Sequence, residues 1–261
     1  MTNRARVSQM RVLANRVEVF GLSVFSDDLN KIPLESPCAT VTTISPNSYG
    51  ISTRDPEFRR ALAEADYLVL DGVYFALGSL LLRGQSIKPN QGPDVFAFFI
   101  RKLNAMRGRA FFLGSSEATL ERIRQRLAVE HPAVTVGSYS PPFKAQFDES
   151  DNRIMVERVN AFAPDIVFIG MTAPKQEKWA HRHRDALRAK LVISIGAVFD
   201  WYAGNEPEIS PLWWKLKLGW LIRTIHRPEI LKRYPNILLF FGHVVLARLG
   251  IKNFRYGNLD D

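Results

Sequence analysis

The chain has 261 residues, a hydrophobic share of 46%, a single cysteine, and 35 Lys+Arg against 26 Asp+Glu, for a formal charge of +9. That apolar content excludes disorder over most of the chain and is enough for one sizeable core, in one α/β domain or a domain with a small appendage. The lone Cys38 excludes an internal disulfide and a cysteine-based zinc site, and a reducing, cytoplasmic setting is the expectation.

The first residues, Met1 to Arg11, carry basic side chains with no apolar run after them, so no export signal is expected. Short apolar runs follow at 39–44, 67–70, 110–113, 134–136, 166–169 and 191–195, and these read as buried strands. Helical spacing predicts helices between them at about 56–65, 73–83, 93–106, 116–129, 151–163 and 174–188. Pro56 and Pro174 are expected at first helical positions. Regular alternation of strand and helix argues for an α/β fold, a Rossmann-like, mostly parallel sheet with helices on both faces.

The texture changes after Gly204, where strand patterns end and Trp, Lys and Arg concentrate. The expected division is an α/β body over 1–210 and a basic, amphipathic helical appendage over 211–261. Ser210-Pro211 reads as a helix cap, Arg227-Pro228 as a restart, and Tyr234-Pro235 as a break or kink, giving two or three short helices. From residue 211 onward nine basic residues stand against three acidic ones, so most of the net charge lies here. Ile230, Leu231, Tyr234, Ile237, Leu238, Phe241, Val244, Val245 and Leu249 recur at helical spacing. Such a segment suits a membrane interface, or equally a helix laid on the core with a solvated basic face. The run Ile237 to Ala247, interrupted by His243, is shorter than the roughly 20 residues a spanning helix needs.

In a parallel sheet, ligands gather outside the carboxyl ends of the strands, so polar residues just after an apolar run are the candidates. Asp71 follows Tyr67-Leu-Val-Leu70 and suits a general base, or, with no catalysis, the N-cap of the next helix. Ser45 and Asn47 follow the first strand, and Gly196 and Asp200 the last. Gly114-Ser115-Ser116 offers backbone N–H groups to a phosphate or is a plain turn, since neither a full GxGxxG nor a Walker lysine pattern is present. Gln176, in the first turn of a helix, is placed to reach a sugar or base, or is solvated; Glu177 beside it complements the helix dipole. His181 and His183, two apart on a helix, point away from each other and do not share a metal. No Asp-x-Asp follows a strand, so a bound diphosphate would be neutralised by Arg223, Arg227 and Arg233 with Lys232, and neither metal nor cofactor is expected. The residues alone leave open a nucleotide-dependent enzyme of another class, an epimerase or dehydrogenase, and, on charge alone, a nucleic-acid-binding module.

Ser45-Pro-Asn47, Leu70-Asp71-Gly72, Phe112-Leu-Gly114, Gly170 to Trp179 with its Pro-Lys-Gln-Glu core, Gly196-Ala-Val-Phe-Asp200, Ala203-Gly204 and Pro211 to Tyr234 stand in a telling order. Over about residues 35–245 the chain resembles the WecG/TagA/CpsF family of bacterial glycosyltransferases, glycosyltransferase family 26. The resemblance implies an inverting, metal-independent transferase. It would move a sugar from a nucleoside-diphosphate donor, UDP by expectation, to a polyprenyl-diphosphate-linked saccharide, working peripherally at the cytoplasmic face of the membrane. It implies that Asp71 is the general base, that Ser45 and Asn47 line the same pocket, and that Gly114, Gln176, Gly196, Asp200, Arg223, Arg227 and Arg233 belong to the donor side. It implies no nucleic-acid partner and is compatible with a homo-oligomer. The chain departs from the family pattern at Ser45, where Thr is frequent, at Trp220 and Ile230, where Glu and Arg are usual, and before Gly92, where the family commonly carries Arg and this chain runs Lys88-Pro-Asn-Gln91. These departures suggest a divergent branch serving exopolysaccharide synthesis.

Overall fold

The structure, a computed structural model, describes residues 14–34, 38–84, 87, 90–205 and 228–251. Its centre is an eight-stranded sheet in the order β1-β2-β4-β3-β8-β7-β5-β6. The strands are β1 (Arg16–Val19), β2 (Leu22–Phe25), β3 (Ala39–Ile44), β4 (Tyr67–Leu70), β5 (Arg109–Gly114), β6 (Thr135–Tyr139), β7 (Ile166–Gly170) and β8 (Leu191–Ser194). Every neighbouring pair is parallel except β1 and β2. The α-helices are α1 (Pro46–Ser52), α2 (Pro56–Ala63), α3 (Val73–Arg83), α4 (Gly92–Met106), α5 (Glu117–Glu130), α6 (Glu149–Phe162), α7 (Lys175–His183), α8 (Val198–Tyr202) and α9 (Tyr234–Arg248).

Local chemistry explains the element boundaries. Asp55 caps α2 by accepting from the Phe58 N–H at 3.0 Å, with Pro56 at the first helical position as expected. Ser116 caps α5 through the Thr119 N–H at 3.2 Å, and Asp148 and Asp151 form a reciprocal capping box at the start of α6. Both faces of the sheet are covered. Along β5 and β7, Phe112 and Phe168 enter one core with Phe96 and Phe199, while Phe111, Leu113, Val167 and Ile169 enter another with Met155 and Trp179. That alternation is what continuous apolar runs produce when a parallel strand is buried on both sides.

The structure adds the β1–β2 hairpin and the short helices α1 and α8 to the sequence reading. The β1–β2 hairpin turns through Phe20 and Gly21, both at positive φ (52° and 78°), as a two-residue turn between right-twisted strands requires. Ser45-Pro46 opens the seven-residue α1, with Ser45 Oγ accepting from the Ser48 N–H at 3.2 Å. Three expectations are corrected. Pro174 precedes α7 rather than opening it, α7 gives way to a 3-10 turn at Arg184–Ala186, and Pro235 sits in the first turn of α9 instead of breaking the helix.

α9 returns from the C-terminal region to pack on α1 and α3. Its inward face is Asn236, Phe240 and Val244, while much of the predicted stripe, including Leu238, Val245 and Leu249, points to solvent. Two glycines permit this close crossing. A Cβ at Gly50 would lie 2.4 Å from Asn236 Cβ, and one at Gly78 would lie 2.5 Å from the Phe240 ring. Phe240 stacks on Phe75 at 4.9 Å and completes a core cluster with Tyr49, Phe58 and Leu70. Ser210, Pro211, Arg223 and Arg227 lie outside the described residues.

Candidate active site

The strands of the parallel portion end on one large cleft of about 1440 Å³, above the few hundred to roughly 1,000 Å³ of a typical single-ligand pocket. Ser45, Asn47 and Asp71 line it from the β3–β4 side; Gly114, Gln176, Gly196 and Asp200 line it from the β5, β7 and β8 side; and Arg233, just before α9, also borders it. Residues separated by up to 188 positions in sequence are therefore brought to one cleft. Arg223 and Arg227 fall outside the described residues. The N-terminal residues of α4, α5 and α7 line the same space, so their free N–H groups and positive dipole ends favour an anionic occupant.

On the β3–β4 side, Asp71 is half-buried and its backbone N–H donates to Ile44 O at 2.8 Å, tying the two strand ends together. The N-cap of α3 is Gly72, at φ 85°, so the cap position that offered a non-catalytic account of Asp71 is occupied by its neighbour. Asn47 accepts at Oδ1 from Asn236 Nδ2 at 2.8 Å. Asn236 is a part of the site's surroundings that a search for polar residues after strands could not find, because it lies on α9; its one signal in the sequence is a polar residue on the buried face of an otherwise apolar helix.

The opposite wall is tightly packed. Gly114 has φ 115°, and a Cβ there would lie 2.7 Å from Gly170 O; a Cβ at Gly170 would lie 2.2 Å from the Phe199 ring. Only glycine lets β5, β7 and α8 approach this closely at the floor of the cleft. Gln176, expected on the donor side with a solvated amide as the alternative, and Glu177, expected to complement the helix dipole, are both buried, which removes the solvated reading of Gln176. Gln176 Nε2 donates to Glu177 Oε1 at 2.8 Å, whereas Gln176 Oε1 and Glu177 Oε2 are sealed from solvent without a protein partner. Burial pushes the Glu177 carboxyl up to about 7, partly opposed by the bond from Gln176. Asp200 accepts at Oδ1 from Asn205 Nδ2 at 3.1 Å. Lys175, in the first turn of α7, donates from Nζ to Lys144 O at 2.8 Å and lies 4.4 Å from the centre of the Phe147 ring; burial lowers its pKa. His181 pairs with Glu64 at 2.8 Å and His183 packs on Trp179 at 4.9 Å, so the two histidines do face different surroundings.

A mostly parallel sheet whose carboxyl edge opens into a polar cleft ringed by helix N-termini is the architecture of an α/β enzyme that holds its substrates at that edge. The model of the WecG/TagA/CpsF family of glycosyl transferases matches residues 10–253, and the chain belongs to that family. Membership decides the class that the residues alone left open between transferase, epimerase and dehydrogenase. Among its relatives, the N-acetylglucosaminyldiphosphoundecaprenol N-acetyl-beta-D-mannosaminyltransferase of Bacillus subtilis (strain 168) is 25% identical over 218 residues, 83% of each chain. The protein of the same name from Bacillus spizizenii is 23% identical over 199 residues, 76% of each chain. That from Staphylococcus aureus (strain MRSA252) is 21% identical over 212 residues, 81% of this chain and 82% of the relative.

Proposed function

We propose that this glycosyltransferase inverts the anomeric centre as it moves a sugar from a nucleoside-diphosphate donor, UDP in the first instance, to a saccharide carried on a polyprenyl diphosphate. The observation that carries the reading is the meeting of Asp71, Ser45 and Asn47 with Gln176, Asp200 and Arg233 on one cleft in a chain of this family. A sugar hydroxyl is a poor nucleophile, and a carboxylate in reach removes its proton as the oxygen attacks. Asp71 takes that proton. The new C–O bond forms at the anomeric carbon while the bond to the diphosphate breaks, and its electron pair leaves with the nucleotide. Arg233, with Arg223 and Arg227 assigned from the sequence, neutralises the departing diphosphate without a metal. One attack with one base and no covalent sugar–enzyme intermediate inverts the centre. The names of the relatives make N-acetylmannosamine the first donor sugar to test and N-acetylglucosaminyl diphosphate on a prenol the first acceptor.

The lipid-bound acceptor requires the enzyme to work at a membrane, and the surface beside Asp71 suits that. α3 exposes Tyr74, Leu77, Leu80 and Leu81, and α9 exposes Leu238 and Val245, with Leu249 exposed just after it; the Tyr74 and Phe241 rings, 6.5 Å apart, join the two helices. No helix among the described residues is long and apolar enough to cross a bilayer. We therefore assign residues 211–261 and the exposed side of α3 to a peripheral contact with the inner leaflet, with Lys232 and Arg248 exposed to meet anionic headgroups. Residues 1–210 form the catalytic body in this reading, and the product is a precursor of a cell-surface or exopolysaccharide. The test is transfer from a panel of UDP-sugars to a short-chain prenyl-diphosphate N-acetylglucosamine, with the product's anomeric configuration read by NMR. Inverted product from at least one donor is expected. No transfer from any donor, or retention of configuration, would overturn the reading.

A further inference from the structure

The side chain of Asn47 belongs to a chain of three polar groups that starts outside the cleft. Arg54, just past α1, donates from Nη2 to Asn236 Oδ1, and Asn236 Nδ2 donates to Asn47 Oδ1 at 2.8 Å. The order of donors is forced. A guanidinium has donors and no acceptor, so the Asn236 oxygen must face Arg54 and its NH2 must face Asn47. The oxygen of Asn47 is then taken, and its Nδ2 is the end left for a ligand in the cleft that Asn47 lines. Asn236 is itself 8% exposed, on the inward face of α9, at the crossing that Gly50 keeps open. With α9 docked, these two hydrogen bonds hold that amide in one orientation. Undocking α9 would release Asn47 to present either end.

We propose that Asn236 is a positioning residue for the transfer reaction: through it, Arg54 and the docked α9 fix Asn47 with its NH2 toward the substrates, where it can donate to a hydroxyl or diphosphate oxygen. The proposal rests on reading Asn47 as part of the active site, and it adds a route by which the C-terminal helix acts on the catalytic wall. It also gives a physical reason for a buried amide on a helix whose other inward residues are Phe240 and Val244. A buried polar group of that kind is retained where its hydrogen bonds specify one arrangement.

Asn236→Asp separates the relay from the packing. The carboxylate keeps the volume and still accepts from Arg54, but it has no donor for Asn47, which turns its NH2 inward and its oxygen to the cleft. The expected result is a fall in kcat/KM of about tenfold, the scale of one misdirected hydrogen bond at a reacting centre, with the melting temperature retained. The decisive measurement is the double-mutant cycle with Asn47→Ala. If Asn236 acts through Asn47, Asn236→Asp has no further effect in the Asn47→Ala background. Full activity of Asn236→Asp overturns the proposal, and so does an undiminished loss in the Asn47→Ala background. Asn236→Ala, which also lacks the donor, carries the same cycle should the aspartate variant fail to fold. Full activity of Asn47→Ala would instead remove Asn47 from the site and overturn the underlying reading, so the two failures are told apart.

Discussion

The two walls of the cleft are built differently. The wall carrying Gln176, Gly196 and Gly114 is held by the sheet itself: parallel strands β5, β7 and β8, glycines at van der Waals limits, and a buried amide–carboxyl pair. The wall carrying Ser45, Asn47 and Asp71 has two strands behind it, but one of its side chains, Asn47, is held by a helix from the far end of the chain through Asn236, and the same helix seats Phe240 against Gly78. One wall is therefore fixed by folding of the body, and the other depends on docking of α9. The same helix exposes apolar side chains on its outer side, so whatever binds that face bears on the catalytic wall.

The comparison breaks most readily at Phe240. Phe240→Ala removes a fully buried ring packed against Phe75, Phe20 and Tyr49 and should lower stability by about 3–5 kcal/mol, read by denaturant unfolding. In the folded fraction, UDP affinity should persist while kcat falls, because the ring supports one wall only. Equal loss of both would show that the walls are not independent.

Glu177 gives a smaller effect on the other wall. Its folded pKa, about 7, lies above the ordinary 4.5, so the folded state holds this proton more tightly than the unfolded chain. The stabilisation is whole below about pH 4.5 and is lost as pH rises through 7. Relative to Glu177→Gln, which does not titrate, the wild type should lose about 3 kcal/mol between those limits. A constant difference in melting temperature from pH 4 to about 8 would contradict the burial of an uncompensated carboxyl.

The smallest effect concerns the outer face. Leu77→Ser with Leu81→Ser removes exposed side chains from α3, so stability should change little. Sedimentation with anionic phospholipid vesicles should fall by roughly tenfold. Undiminished sedimentation would leave residues outside α3 as the whole of the membrane contact.

Much of this organisation was legible in the sequence, and the gaps have physical causes. Six of the strands and most of the helices between them follow from apolar runs and proline or cap signals, as at Asp55-Pro56. The β1–β2 hairpin escaped because four-residue strands give too few alternations to count, although Gly21 marks the turn. Ser45-Pro46-Asn47 was read as a strand end, though Ser followed by Pro is also a helix start; α1 is too short for its periodicity to show. Polar residues after strands located most of the cleft, because parallel topology places those ends together. Burial of Glu177 and the inward turn of Asn236 were not legible, since both depend on contacts across the fold: one where α7 packs on β8, β3 and α2, and the other between α1 and α9. The stripe predicted for α9 misled for a related reason. That helix is apolar on nearly every side, so spacing alone could not say which side faced the core.

The central claim is that Asp71 acts on the acceptor hydroxyl in a cleft whose other wall holds the donor. It is tested most directly by measuring UDP binding and sugar transfer on the same preparation of Asp71→Asn. The account predicts UDP affinity within about twofold of wild type and a fall in kcat of roughly 10²–10⁴-fold, the range expected for loss of a general base. Transfer at the wild-type rate would contradict it.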